Sequence, residues 1–309
     1  MKSCGARKNW LWIRKNIGLY VLLMIPFVYV IIFNYIPMYG AQIAFRDYRI
    51  SRGIWGSEWV GMKHFIKFFT RNRQVWRIIY NTVGINLYQL VCGFPLPIIF
   101  ALLLNYLPGR LWRKTVQTVT YAPHFISVVV IGGMLLQFCS VKNGLFNNLM
   151  AAFGGTRHDI IGNPDNFWSI YVWSGIWQSL GYSSVIYFSS LQSVDVELHE
   201  AAIVDGATIL QRIRHIDVPS ILPTIIILLI MRCGQIVNVG FEKTILLQNS
   251  LNIQASEVIS TYTYKVGLAS ATNQFSYATA IGLMTSAVNF ILLNIVNFIA
   301  RRVSSVSLY

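Results

Sequence analysis

Glu200 to Pro223 reads E-A-A-I-V-D-G-A-T-I-L-Q-R-I-R-H-I-D-V-P-S-I-L-P, a long polar passage near the middle of an otherwise apolar chain. Glu197 to Val204 suits a short helix, Gly206 is free to take φ > 0, Ala207 to Arg214 suits a second helix, and Pro219 is expected to end it. Two helices hinged at a glycine result. Their exposed face carries Ala201 and Ala202, small enough to seat in a partner's groove, with Glu200 and Asp205 as charged ends.

Outward from that passage the chain turns apolar. Hydrophobic residues make up 55% of the 309 and charged ones only 12%, and the long uncharged runs turn that bias into a membrane assignment. Gly18 to Ile36 has no charge over 19 residues, roughly 28 Å of helix and enough to cross a hydrocarbon core. It is longer than the apolar core of a cleavable signal peptide and ends Tyr35-Ile36-Pro37 instead of at a small-x-small site, so a retained helix is expected. Five further runs give six expected spans, near 18–36, 78–104, 116–138, 167–191, 221–239 and 277–300, in one all-α domain covering residues 1–309. Between the first two, Met38 to Arg77 mixes Trp55, Trp59, Phe65, Phe68 and Phe69 with eight basic residues, which suits a helix lying in the membrane interface.

Charge alone leaves the orientation level, with twelve Lys and Arg on each side of the six spans and Arg232 inside one. The basic flank of the first span (Lys2, Arg7, Lys8, Arg14, Lys15), the loop with Arg110, Arg113 and Lys114, and Arg301-Arg302 agree on which side is inside. Both termini and the Glu200 loop then share the cytoplasmic side. The formal charge of +14 is spread over loops on both sides, so membrane-surface contact is a simpler explanation than nucleic acid.

The spacing E-A-A-x-x-D-G-A followed by Pro219 and Pro223 resembles the "EAA" loop of binding-protein-dependent ABC transporter permeases. Asn81-Thr82, Gly93-Phe94-Pro95-Leu96-Pro97, Tyr121-Ala122-Pro123-His124, Gly240-Phe241-Glu242 and Thr261-Tyr262-Thr263-Tyr264 resemble the sugar and oligosaccharide branch, as do Arg46-Asp47-Tyr48 and Trp55-Gly56 to Gly61. One departure is Asp217-Val218, where the family more often has an uncharged residue and leucine. The resemblance implies a six-span type I ABC importer permease fold in a bacterial cytoplasmic membrane. It implies an ATPase-docking loop over 195–217, with Glu200, Ala201, Ala202, Asp205, Gly206, Ala207 and Pro219 in the coupling role. The implied partners are a dimer of ABC ATPases, a second permease subunit, and an extracellular or periplasmic binding protein that delivers a sugar or oligosaccharide.

Other chemistry is missing. The sequence has no G-x-x-x-x-G-K-[ST], so the chain has no P-loop of its own and its energy comes from a partner. Cys4, Cys92, Cys139 and Cys233 are scattered singly, without metal-ligand spacing, and no cofactor or metal is expected. An intramembrane hydrolase is the first rival: Gly181-Tyr182-Ser183 has the G-x-S pattern, but no histidine falls in a span after it to act as base. An ion-coupled secondary transporter is the second, and all eleven acids fall in loops or at span ends.

Three polar stripes mark candidate contacts for substrate: Thr82, Asn86 and Gln89; Ser174, Gln178 and Tyr182; Arg232, Gln235 and Asn238. The competing role for such stripes is hydrogen bonding between helices. In the resembled family the spans of the last two line the sugar path, and Trp177, near Tyr182, would add a face that stacks on a pyranose ring. Arg232 falls midway along the fifth run with no acid at its depth, so its charge needs a partner: an acid of another subunit, water, or an anionic substrate.

Overall fold

The computed structural model describes residue 12, residues 15–270, residue 272 and residues 274–303. The basic flank at Lys2, Arg7, Lys8 and Arg14 lies outside the described residues. Among the described residues, four helices are long and apolar enough to cross a membrane: Ile17–Phe45, Val75–Tyr106, Ile209–Cys233 and Phe275–Arg302. A fifth crossing exists if the bent pair Arg110–Phe125 and Val128–Phe138 counts as one. The run expected at 167–191 lies in Pro164–Leu191, a helix of 28 residues that is about 42 Å long but less apolar than the other four.

Three expectations need correction. The segment 116–138 is not one straight helix, because its halves meet at 95°. Pro123 sits in a 3₁₀ turn, Ala122–Phe125, Ile126 is extended, and Ser127 caps the next helix by accepting the Val130 N–H at 3.3 Å. The run 221–239 is helical only to Cys233. Past it the Val237 N–H is taken by Asn289 Oδ1 at 3.2 Å, and a side chain at Gly234 would run into Leu293, so packing on the last helix ends the span early. Third, the segment after the first helix is not a single interfacial helix and breaks the all-α expectation. It forms an antiparallel hairpin, β1 (Arg46–Arg49) with β2 (Gly53–Trp59), turned at Gly53 with φ 64°, and then an amphipathic helix Lys63–Arg71 that buries His64 and Phe68.

The organising element is Pro164–Leu191, which packs on Val75–Gly93, Pro95–Tyr106, Arg110–Tyr121 and Val218–Cys233. Its buried residues Phe167, Tyr171, Val172 and Ile176 meet Ile85, Val239, Leu247 and Val258 in one cluster, and Tyr187 and Leu191 meet Ala101 and Ile221 in another. Two glycines allow the close approaches. A Cβ on Gly181 would fall inside contact distance of the Thr120 carbonyl, and one on Gly84 would collide with the Trp168 ring. The first helix is the opposite case, with no buried residue in Ile17–Val30.

Candidate functional site

The E-A-A-x-x-D-G-A stretch folds as a capped helix and a reversal. Asp195 opens helix Val196–Val204 by accepting the Glu197 N–H at 3.0 Å. At the other end Ala207 N–H reaches back to Ala202 O at 2.8 Å and Gly206 N–H to Ile203 O at 3.0 Å, with Gly206 at φ 78°. That pair of bonds around a left-handed residue is a Schellman cap, and it explains the spacing of Ala202, Gly206 and Ala207 in backbone terms. Thr208 and Gln211 then form a capping box that starts the next helix. Glu200, Ala201 and Asp205 are exposed, and so are Val196, Leu198, Ile203, Val204, Ile209 and Leu210, an apolar set on a polar loop that none of the described residues covers.

Pro219 does not end the second helix. The chain runs on from Ile209 to Cys233 as one helix of 25 residues, about 37 Å, because a π turn at Ile213–Asp217 precedes the proline. There the Val218 N–H reaches five residues back to Ile213 O, and the wider turn absorbs the missing donor of Pro219. Asp217, at the end of the π turn, is fully buried. Its Oδ2 accepts from the Tyr106 hydroxyl at 2.6 Å and its Oδ1 lies 3.4 Å from His199 Nε2, on the helix that carries Glu200. The Arg212 guanidinium lies over the Tyr106 ring at 5.4 Å.

The other end of that helix opens on a cavity of about 890 Å³ whose lining includes Gln89, Tyr171, Gln178, Tyr182, Arg232 and Lys243. A recess of about 210 Å³ shares Gln89, Tyr171, Arg232 and Gly240 with it and adds Asn86, Gln235 and Asn238. Tyr171 is the hub. Its hydroxyl donates to Gly240 O at 3.4 Å, its carbonyl accepts from Lys243 Nζ at 2.7 Å, and its ring lies 4.7 Å from the same ammonium.

The candidates named from the sequence divide accordingly. Gln178, Tyr182, Arg232, Gln235 and Asn238 all reach the cavity or its recess, but Gln235 and Asn238 do so from the turn after Cys233 and not from a helical face. Gln178 donates to Ile126 O at 3.0 Å and Tyr182 stacks face to face on His124 at 3.9 Å, the two rings nearly parallel, so both also hold the 95° bend in place. Trp177 does not join Tyr182: five residues turn it about 140° around the helix, and it lines a separate apolar cleft with Met134, Phe138 and Trp173. Of the first stripe, Thr82 is buried and used between segments, taking the Ile259 N–H at 3.0 Å. Only Asn86 and Gln89 face the recess.

Two residues of the cavity were missed. Lys243 follows the fifth apolar run as a loop charge would, yet it is 7% exposed. Glu242, the other, puts a carboxylate on the cavity that holds Arg232, which corrects the expectation of a chain without an acid near that arginine. Among the described residues neither Arg232 nor Lys243 has a carboxylate within 4.0 Å. Their signal in the sequence was the G-F-E-K run directly after the fifth apolar stretch.

A family profile described as "Binding-protein-dependent transport system inner membrane component" matches residues 93–305. The chain is 39% identical over 291 residues to the polygalacturonan/rhamnogalacturonan transport system permease protein YteP of Bacillus subtilis (strain 168), covering 94% of this chain and 90% of that one. It is 37% identical over 308 residues to protein LplB of the same organism, covering 99% and 96%. Among solved structures, a chain of a bacterial alginate ABC transporter, in complex with an alginate pentasaccharide-bound periplasmic protein, superposes with TM-score 0.87 at 36% identity, covering 97% of this chain and 99% of that one. A second structure, of a bacterial ABC transporter involved in the import of the acidic polysaccharide alginate, gives 0.86 at 37%. Matched by that profile and, over nearly its whole length, by those permeases, the chain belongs to the binding-protein-dependent transport system inner membrane components, permeases that are not themselves enzymes and leave ATP hydrolysis to separate subunits.

Proposed function

We propose that this permease forms, with a second permease subunit, the translocation path of an ATP-driven importer of sugars or oligosaccharides in a bacterial cytoplasmic membrane. Six crossings, the fourth in chain order being Pro164–Leu191, leave both termini and the Glu200 loop in the cytoplasm. The loop docks on one of two ATPase subunits through Glu200, Ala201, Ala202, Asp205, Gly206 and Ala207 and the uncovered apolar side chains around them, while Pro219 lies on the helix that follows. A binding protein on the opposite side delivers the sugar.

The observation that carries this is one helix, Ile209–Cys233, that starts in the hinged loop and ends with Arg232 in the polar cavity. Closure of the ATPases would displace the loop, and the continuous helix passes that displacement to the cavity without covalent chemistry in this chain. The substrates for which the relatives are named, polygalacturonan or rhamnogalacturonan and alginate, support a saccharide in that cavity.

Purification from the native membrane should bring down a second permease and an ATPase, identified by mass. In a background without native cysteines, Ser193→Cys should resist an impermeant thiol reagent in intact cells while Asn143→Cys reacts. Asn147 is not usable for that purpose, because it is fully buried and donates to Cys139 O, Ser140 O and His158 O. Labelling of position 193 from outside would overturn the topology and the ATPase assignment together.

A further inference from the structure

We propose that Lys243 and Arg232 form a two-cation subsite for the carboxylate of an acidic sugar residue, and that Lys243 is what distinguishes acidic from neutral oligosaccharides. This rests on the import function proposed above and names the substrate chemistry of the same cavity.

Lys243 is a charge in an unusual place. It is 7% exposed, and its ammonium has one hydrogen-bond acceptor among the described residues, the neutral carbonyl of Tyr171. An ammonium has three donors, so two are left over, and a buried cation without a counter-charge is costly. The Tyr171 ring at 4.7 Å offsets part of that cost and supplies no acceptor along a donor direction.

The leftover side of the ammonium faces open space for a definite reason. A Cβ placed on Gly175 would stand 3.3 Å from Lys243 Nζ and 3.9 Å from Gln89 Nε2. Both nitrogens therefore lean over Gly175, a position of the central helix without a side chain, and all three residues line the cavity. The arrangement is a donor pair over a gap: the ammonium suits a carboxylate and the amide N–H suits a neighbouring hydroxyl or ring oxygen of the same sugar. Arg232 lines the same cavity without an ion pair, and its planar fork takes a carboxylate through two bonds. Glu242 also lines the cavity, but it pairs with neither cation, so two cations face one carboxylate there.

The test compares the parent and Lys243→Met permeases, each purified with its native partner subunits, with trigalacturonate and neutral galactotriose as probes. Thermal denaturation should show the parent stabilised by trigalacturonate. Lys243→Met should need at least about tenfold more of it for the same shift from its own unliganded Tm, with its response to galactotriose unchanged, and Lys243→Arg should recover part of the loss. Gly175→Ala, which leaves the charge in place and puts a methyl against the ammonium, should weaken the acidic probe alone. Equal shifts in the parent and Lys243→Met, a parent stabilised only by galactotriose, or a Gly175→Ala variant that binds trigalacturonate as the parent does would each overturn the subsite. Uptake into proteoliposomes is read in parallel. A parent that binds trigalacturonate through Lys243 yet takes up neither sugar would overturn the import function and leave the subsite standing.

Discussion

The first helix and the central helix differ in a way that inverts the rule for soluble proteins. Ile17–Phe45 carries no charge and has none of its most apolar stretch buried, whereas Pro164–Leu191 is richer in serines, carries a glutamine and an aspartate and lies at the centre of the packing. In lipid the outside of the bundle is the most apolar part, and the inside is where small and polar residues let helices approach and hydrogen-bond. Hydropathy therefore marks what faces the lipid tails, not what forms the core.

Paired glycine substitutions would break or sharpen that contrast most strongly. Gly181→Val pushes a side chain into the Thr120 backbone, where nothing flexible can yield, and should cost at least about 3 kcal/mol or prevent accumulation in the membrane. Gly18→Val meets nothing within 4 Å on the first helix and should stay within about 0.5 kcal/mol. Yield and thermal denaturation of the two proteins check both, and equal losses would mean that the first helix is packed after all. Next in size is Tyr106→Phe, which removes the hydroxyl donated to the buried Asp217 carboxylate and should lower stability by about 1.5 to 3 kcal/mol. Double substitution with Asp217→Asn should cost less than the sum of the two singles.

Gly206→Val carries the contrast into the loop. Its φ of 78° disfavours a β-branched residue, but a Cβ there meets nothing within 4 Å, so the strain of about 1 to 2 kcal/mol stays local. The variant should insert and assemble normally and lose transport, and normal transport by an assembled variant would remove the hinge from the mechanism. The smallest effect belongs to the hairpin corner. A hydrogen bond from Lys63 holds the Asp47 carboxyl below its ordinary 3.8, and burial holds the His64 imidazole below its ordinary 6.5. Both shifts make the unfolded form bind protons more readily, so their stabilisation is present at neutral pH and is lost as pH falls, first below 6.5 and then below 3.8. With the intrinsic pH dependence of exchange divided out, the protection of the amides from Tyr48 to Trp59 should fall over that descent and not on raising the pH.

What was legible in the sequence was local. The Schellman cap needs only Ala202, Gly206 and Ala207 in register, so its spacing can be read off the letters. The cavity draws on Gln89, on Tyr171 to Tyr182, on Arg232 and on Gly240 to Lys243, and no periodicity within one segment announces such a meeting. Helical spacing was carried past Gly234 to Asn238, because the reason to stop lay in Asn289 and Leu293 on another helix. Trp177 was paired with Tyr182 by closeness in sequence, although the turn of the helix separates them. Lys243 looked like a loop charge because a charge count does not register burial.

The buried Asp217 divides the helix Ile209–Cys233 unequally. Held to Tyr106 on one side and facing His199 on the other, it is the point at which that helix is tied to two other segments, where its π turn ends. The short arm to Ile209 is about 12 Å and the long arm to Arg232 about 22 Å. Under the coupling proposed above, a rigid helix pivoting at Asp217 would turn about 1 Å of travel at the loop into about 2 Å at the cavity and reverse its direction.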